Sequence, residues 1–322
     1  MLTMKTKTLF FVIFLFLGLT TQAFSEDFPK RPIRIIIPYG PGGATDLVVR
    51  SFQNLLEKEL KTKVVVENMP GGTTKIATYA VMKAKADGYT LLFCPNESMV
   101  SYYYAKVFDN KVWEILTPIG NITKDPSGII EVNAKSPYKT WGDLVEAAKK
   151  RPGELTCGMI GVGGMRELYT NEIKEKTGID FKYVPFSGAG TSNTALLGGH
   201  VDFRLVTPGE AIAMIRAGMT RGPAVSTPQR MKALPDVPTF EELGIGKSWV
   251  LTRSIWGPPN LPQNILTIIT KAIEKGTKDS EFIKLLEDQF LVEAEYRTPD
   301  RIQEGMKTFD KNYGPKFVEM YK

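Results

Sequence analysis

The stretch from Ile33 to Asn68 constrains this chain most. Branched apolar residues dominate Ile33–Ile37, which predicts a strand covered on both faces. A turn, Tyr39-Gly40-Pro41-Gly42-Gly43, leads into a run beginning near Thr45. There Leu47, Val48, Phe52, Leu55, Leu56 and Leu60 recur at helical spacing, so one stripe of the helix is buried. A second strand, Val64–Val66, completes a β-turn-α-β unit. Gly42 and Gly43 leave backbone N–H groups bare at the positive end of a helix, an arrangement that suits a small anion. The dinucleotide fingerprint is not met, because the residue three after Gly42 is Thr45 and not glycine. The phosphate loop of nucleotide hydrolases is not met either, since Asp46-Leu47 stand where Lys-Ser/Thr is needed. A ligand-free connection remains the bland alternative for this segment taken alone.

The N-terminus narrows the field. Lys5 and Lys7 precede an apolar run from Leu9 to Leu19, and Ala23-Phe24-Ser25 fits the small-x-small rule for cleavage. A leader over residues 1–25 is expected, with a mature chain from Glu26. The apolar run is short for a membrane span, and no later segment is long and apolar enough for one. An exported soluble protein argues against ATP or NAD as ligand. Of 41 basic residues, 39 remain beyond the leader against 35 acidic ones. They form no basic block of the kind that marks a nucleic-acid face. A chain of this length ordinarily divides into two domains.

Catalysis finds little support. His200 is the only histidine, and it lies in LLGGHVDF, where a surface turn is expected. No serine sits in a nucleophile elbow. Cys94 and Cys157 lack CxxC spacing and each ends a candidate strand, so buried free thiols are expected, with a single bridge as the alternative. Carboxylate pairs such as Glu241-Glu242 lie on lysine-rich helices and read as solvated faces. No catalytic group, metal or cofactor is predicted.

Strands and helices alternate as they do in parallel α/β sheets. A helix around Thr74–Ala84 precedes the strand Thr90–Cys94, after which Pro95–Ser98 reads as a loop. Gly128–Val132 is a strand, and Thr140 with Asp143 caps a helix over Trp141–Lys150. The strand Leu155–Met159 meets a second glycine turn, Gly161–Gly164, and a helix over Met165–Thr177. The strand Phe181–Val184 meets a third, Phe186–Thr191, and a helix ending near Gly198. Strand Val201–Val206 and a helix over Gly209–Ala217 follow. All three glycine turns fall at carboxyl ends of strands, where ligands of open α/β sheets bind. Facing one another across a cleft, they would offer an anion several helix N-termini.

The ordered motifs resemble those of the tripartite tricarboxylate transporter substrate-binding family, the Bug or TctC-like receptors. FPKRPIRIIIPYGPGGATDLVVR (Phe28–Arg50), VVVENMPGG (Val64–Gly72), ADGYTLLF (Ala86–Phe93), VPFSGAGTSNTALLGGHVDF (Val184–Phe203), LPDVPTFEELG (Leu234–Gly244) and WGPPNLP (Trp256–Pro262) carry the resemblance. It implies an α/β chain with the two-lobed periplasmic binding protein type II fold, two sheets flanked by helices around a ligand cleft. Lobe one is expected over 26–124 and 254–322, and lobe two over 125–253. The function implied is a monomeric periplasmic receptor that captures a small carboxylate. It would deliver that ligand to the membrane subunits of a tripartite tricarboxylate transporter. A ligand-sensing module for a membrane kinase is the alternative, and a secreted hydrolase on the same fold a third.

The resemblance places the grip on two loops, Tyr39–Asp46 and Phe186–Thr191. Tyr39, Gly42, Gly43, Ala44 and Thr45 are expected contacts from the first, and Ser187, Gly188, Ala189, Gly190 and Thr191 from the second. Asp46 reads as a cap or first-turn compensator with its charge turned from the cleft. At the middle loop the chain departs from the family, with Gly164 at the usual serine position and Glu167 at the usual histidine position. Gly163 and Gly164 stay in the expected site. Arg166 is either a bidentate partner for a second carboxylate or a solvated arginine. Arg204 is placed at the cleft near Thr207, the alternative being a pairing with a buried acid. Asn96 and Ser98 are expected to hydrogen-bond ligand. Tyr102-Tyr103-Tyr104 is expected to pack on its lobe rather than stack on ligand.

Overall fold

The computed structural model describes residues 28–126, 128–161, 163–246 and 250–322. The expected leader and its cleavage site lie outside the described residues, and the fold below is that of residues 31–322. At its centre, Ile33, Ile35, Ile36 and Ile37 of β1 (Ile33–Ile37) are all buried. β1 lies between β2 (Val64–Asn68) and β3 (Thr90–Pro95), parallel to both, with Ile33 opposite Val64 and Arg34 opposite Thr90. That accounts for a strand with almost no polar alternation. Beyond β3 the sheet continues antiparallel through β10 (Val250–Gly257) and β4 (Thr117–Pro126), and ends at the short β11 (Glu293–Ala294).

Helix α1 (Ala44–Leu60) follows the first glycine turn and ends at Lys61, which takes the left-handed conformation at φ 53°. Its buried stripe packs on α9 (Gln263–Thr277) at Gly276, where a Cβ would lie 2.6 Å from the Phe52 ring, so only glycine permits this approach. On the opposite face, α2 (Lys75–Met82), α3 (Asn96–Tyr104), α4 (Val112–Ile115) and α10 (Pro299–Met320) cover Ile36, Leu92 and Trp256.

The second sheet has the order β7 (Lys182–Phe186), β6 (Thr156–Ile160), β8 (Phe203–Val206), β5 (Ile129–Asn133), β9 (Thr220–Val225). β6 is parallel to β7 and β8, while β5 runs antiparallel to β8 and β9. Helices α5 (Trp141–Lys150) and α6 (Met165–Thr177) cover one face through Leu144, Leu168 and Ile173. Helices α7 (Ala189–Leu197) and α8 (Pro208–Arg216) cover the other. The cap expected for α5 forms a reciprocal box. Thr140 Oγ1 accepts from Asp143 N at 3.2 Å, and Asp143 Oδ2 accepts from Thr140 N at 2.8 Å.

One element departs from expectation. Pro95–Ser98 is not a loop, because α3 begins at Asn96. Pro95 is extended at the N-cap, Glu97 sits in the first turn, and Met99, Val100 and Tyr102 supply a buried stripe. Both cysteines are buried free thiols, Cys94 on β3 and Cys157 on β6. Burial pushes the Cys157 thiol up to about 12 and Cys94 higher still. The folded protein is therefore expected to ignore an aromatic disulfide reagent at mildly alkaline pH, and to react at both thiols once denatured. Rapid stoichiometric reaction of the native chain would contradict this burial.

Candidate functional site

Three strand-to-helix junctions share one construction. β1 leads into α1, β6 into α6 and β7 into α7, and each helix starts from an extended glycine, Gly43, Gly164 or Gly188. The first N–H groups of each helix have no partner within it. The first and third junctions touch. A Cβ on Gly188 would lie 3.3 Å from Gly40 Cα, and one on Gly43 would lie 3.6 Å from Ala189 Cβ. Gly188 has φ −177°, which any residue adopts, so contact and not backbone conformation demands glycine there. Gly42 is the reverse case, with φ +80° and open space around it.

Asp46 holds the first loop in shape. Its Oδ2 accepts from Gly42 N at 3.0 Å, and its Oδ1 accepts from Arg50 Nε at 2.8 Å and Asn68 Nδ2 at 2.9 Å. Asn68 Nδ2 also donates to Tyr39 O at 3.0 Å. The buried carboxylate in the first turn of α1 is thus surrounded by donors and braces the loop through Gly42, and it also lines the cavity, where a charge turned from the cleft was expected.

Between the loops is a cavity of ≈ 50 Å3. Gly43, Ala44 and Thr45 wall it from the first loop, Gly164 and Arg166 from the second, and Gly188 and Ala189 from the third. Tyr39, Ser98 and Tyr102 also line it. Burial raises both phenol pKa values, so these groups stay neutral donors and acceptors. Tyr102 also explains the glycine at position 164. A Cβ there would meet Gly161 O at 2.9 Å and the Tyr102 hydroxyl at 3.2 Å. Glu167 accepts from Gly163 N at 2.6 Å and so ties the same loop.

Two cations reach the wall. Arg253 on β10 is buried and pairs with Asp125 of β4, and its Nε donates to Thr45 Oγ1 at 3.2 Å. Burial lowers its pKa to about 10, which leaves it charged at neutral pH. Arg166 Nη2 contacts Glu210 Oε2 at 2.7 Å, and Thr207 N donates to the same oxygen at 2.9 Å. Burial works to raise the Glu210 pKa, but Arg166, the Thr207 N–H and Arg204 outweigh it, so the carboxyl lies below its ordinary value.

Of the residues expected at the site, Tyr39, Gly43, Ala44, Thr45, Ser98, Gly164, Arg166, Gly188 and Ala189 come together around the cavity. Others lie behind it. Gly42 N is bound to Asp46 and Gly163 N to Glu167. Ser187 faces a neighbouring cavity of ≈ 180 Å3. A Cβ on Gly190 would face Pro41 O, Thr191 Oγ1 donates to Gly188 O, and Thr207 contributes its N–H to Glu210. Two expectations need correction. Asn96 does not face the cavity: its Nδ2 donates to Thr252 Oγ1 and Ser254 Oγ, and its Oδ1 accepts from Trp256 Nε1. That engages both amide N–H groups and the amide oxygen with β10.

Arg204 does not reach the cleft either. In the β5–β8 register it stands directly opposite Glu131, and its Nε donates to Glu131 Oε2 at 2.7 Å with both side chains fully buried. Tyr102 both packs on its sheet and lines the cavity, and Glu210 and Arg253 join the wall beyond the expected residues. Only Tyr102 had a signal, in the aromatic run, whereas Glu210 and Arg253 depend on contacts far apart in sequence.

A cavity walled by loops that follow strands of two sheets, with three helix N-termini beside it, is the setting of a solute-binding site. Residues 48–306 match the profile described as the tripartite tricarboxylate transporter family receptor, and the chain belongs to that family. Among similar proteins, the UPF0065 protein in the gbd 5′ region of Cupriavidus necator is 35% identical over 259 residues, covering 80% of this chain and 78% of the relative. BugT of Bordetella pertussis is 28% identical over 273 residues, 83% and 82% of the two chains. The solved structure of the periplasmic binding protein BugD superposes with a TM-score of 0.82 at 26% identity, covering 91% of this chain and 97% of that one. The fold is the two-lobed periplasmic binding protein type of the family. Among the described residues no helix is long and apolar enough to cross a membrane, and no acidic, histidine or cysteine cluster is fit to hold a metal.

Proposed function

We propose that this protein is an exported periplasmic receptor that encloses a small carboxylate between its lobes and hands it to the membrane subunits of a tripartite tricarboxylate transporter. The observation that carries the reading is the convergence of the α1, α6 and α7 N-termini, with Arg253, on one cavity. Unpaired N–H groups and helix dipoles favour an anion there, and Arg253, its charge paired with Asp125, lines the same wall as a hydrogen-bond donor. Membership of the receptor family supports the transport role, and no observation favours a sensing role.

The lobes are taken as 26–124 with 254–322, and 125–253. Both boundaries then fall within the paired strands β4 and β10, which the Arg253–Asp125 ion pair also links. A hinge there would let the ligand complete its hydrogen bonds only when the lobes meet, so binding favours the closed form. A panel of mono-, di- and tricarboxylates, aromatic acids and amino acids in a thermal-shift assay tests the proposal. At about 100 times its dissociation constant a ligand adds about 2.7 kcal/mol, a rise of several degrees. If no acid of the panel raises Tm, the carboxylate reading fails.

A further inference from the structure

The ionised side chains at the cavity wall are already matched. Asp46 is held by Arg50 and Asn68, Glu210 by Arg166, and Arg253 by Asp125. The positive field left for a ligand therefore comes from helix ends. α1, α6 and α7 are 17, 13 and 9 residues long, and each N-terminus carries roughly +0.5 of a charge, so roughly +1.5 together. Asp46 and Glu167, in two of those first turns, reduce the sum. One carboxylate balances such a field. A second or third would meet a wall whose charges are already paired, with no counter-charge left for it.

Size points the same way. The cavity is small, ≈ 50 Å3, and so suits a small solute. For a carboxylate, that means a short chain. The wall also carries an acceptor. Glu210 Oε2 is bound by Arg166 and by the Thr207 N–H, whereas Oε1 is turned toward the first loop, 3.8 Å from where a Cβ on Gly43 would stand. An ionised carboxylate oxygen in that position repels a ligand carboxylate and calls for a donor.

We propose that the site selects a short monocarboxylate bearing a hydroxyl or ammonium donor, its carboxylate on the helix ends and Arg253 and its donor on Glu210, and that it rejects di- and tricarboxylates. This rests on the carboxylate reading above.

Calorimetry on the mature chain at neutral pH, with glycolate, lactate, glycine, alanine, propionate, succinate and citrate, tests it. The expected result is that a hydroxy or amino monocarboxylate binds at least about tenfold more tightly than propionate, succinate or citrate. The hydroxy and amino arms then identify the donor. Succinate or citrate as the tightest ligand overturns this selectivity while leaving the carboxylate reading intact. Propionate equal to lactate and alanine overturns the donor contact. No binding by any acid removes the reading itself. In Glu210→Gln the preference for the donor-bearing acid over propionate is expected to fall to within about twofold, whereas loss of a structural brace would weaken both acids alike. The wild-type panel decides the selectivity even if this variant folds poorly.

Discussion

Gly188→Leu is expected to lose ligand binding by about 100-fold or more while leaving the unliganded Tm within about 2 °C of the parent. A side chain at position 188 would start 3.3 Å from Gly40 Cα and 3.4 Å from Gly40 N, backbone atoms that cannot rotate away. Overpacking of this kind costs about 1–3 kcal/mol where the surroundings are fixed. Here the two loops follow strands of different sheets, and the proposed hinge would let opening relieve the clash without disturbing either sheet. The cost then falls on the closed form alone, and apparent affinity drops with its population. Gly188→Ala, with only the first carbon, should lose less, about tenfold. Calorimetry with the tightest acid of the panel, beside a thermal melt without ligand, reads both effects. Affinity retained within about threefold in Gly188→Leu would mean that these loops do not act as jaws.

The first jaw was legible because its information is local. Isoleucines, a glycine turn and an amphipathic stripe follow one another between Ile33 and Leu60, and the structure keeps their order and, within a residue or two, their bounds. Helices α5 and α6 were legible for the same reason, each opening at a recognisable cap or turn. What stayed hidden depends on pairing across the fold. Arg253 reaches Thr45 across 208 positions and meets Asp125 on a strand whose place in the sheet no local pattern reveals. Glu210 is 44 positions from Arg166, and as an acid in the first turn of α8 it reads as an ordinary dipole compensator. Asn96 misled in the opposite way. Pro-Asn-Glu-Ser has loop composition, yet Trp256 and Thr252 on β10 engage its amide, and a helix starts there.

Arg204 shows what a wrong expectation teaches about stability. An arginine inside an apolar strand has two solutions, and the antiparallel register of β5 and β8 supplies the second by placing Glu131 directly opposite. Thr220 Oγ1 donates to Glu131 Oε1 at 2.7 Å, so both carboxylate oxygens have partners. The ions are fully buried, and each is tolerated only because the other is present. Arg204→Met alone leaves Glu131 without its counter-charge and is expected to cost about 3–5 kcal/mol, read as a lower urea midpoint. The double change Arg204→Met with Glu131→Leu removes both ions and should recover most of that loss, because the desolvation penalty vanishes with the attraction. Ligand affinity of the folded double variant should stay within about threefold, since Arg204 touches the cavity only through its field on Glu210. A single variant destabilised by less than about 1 kcal/mol would show that the pair is not a structural lock. A double variant that folds normally but no longer binds ligand would restore Arg204 to the binding site, acting through Glu210.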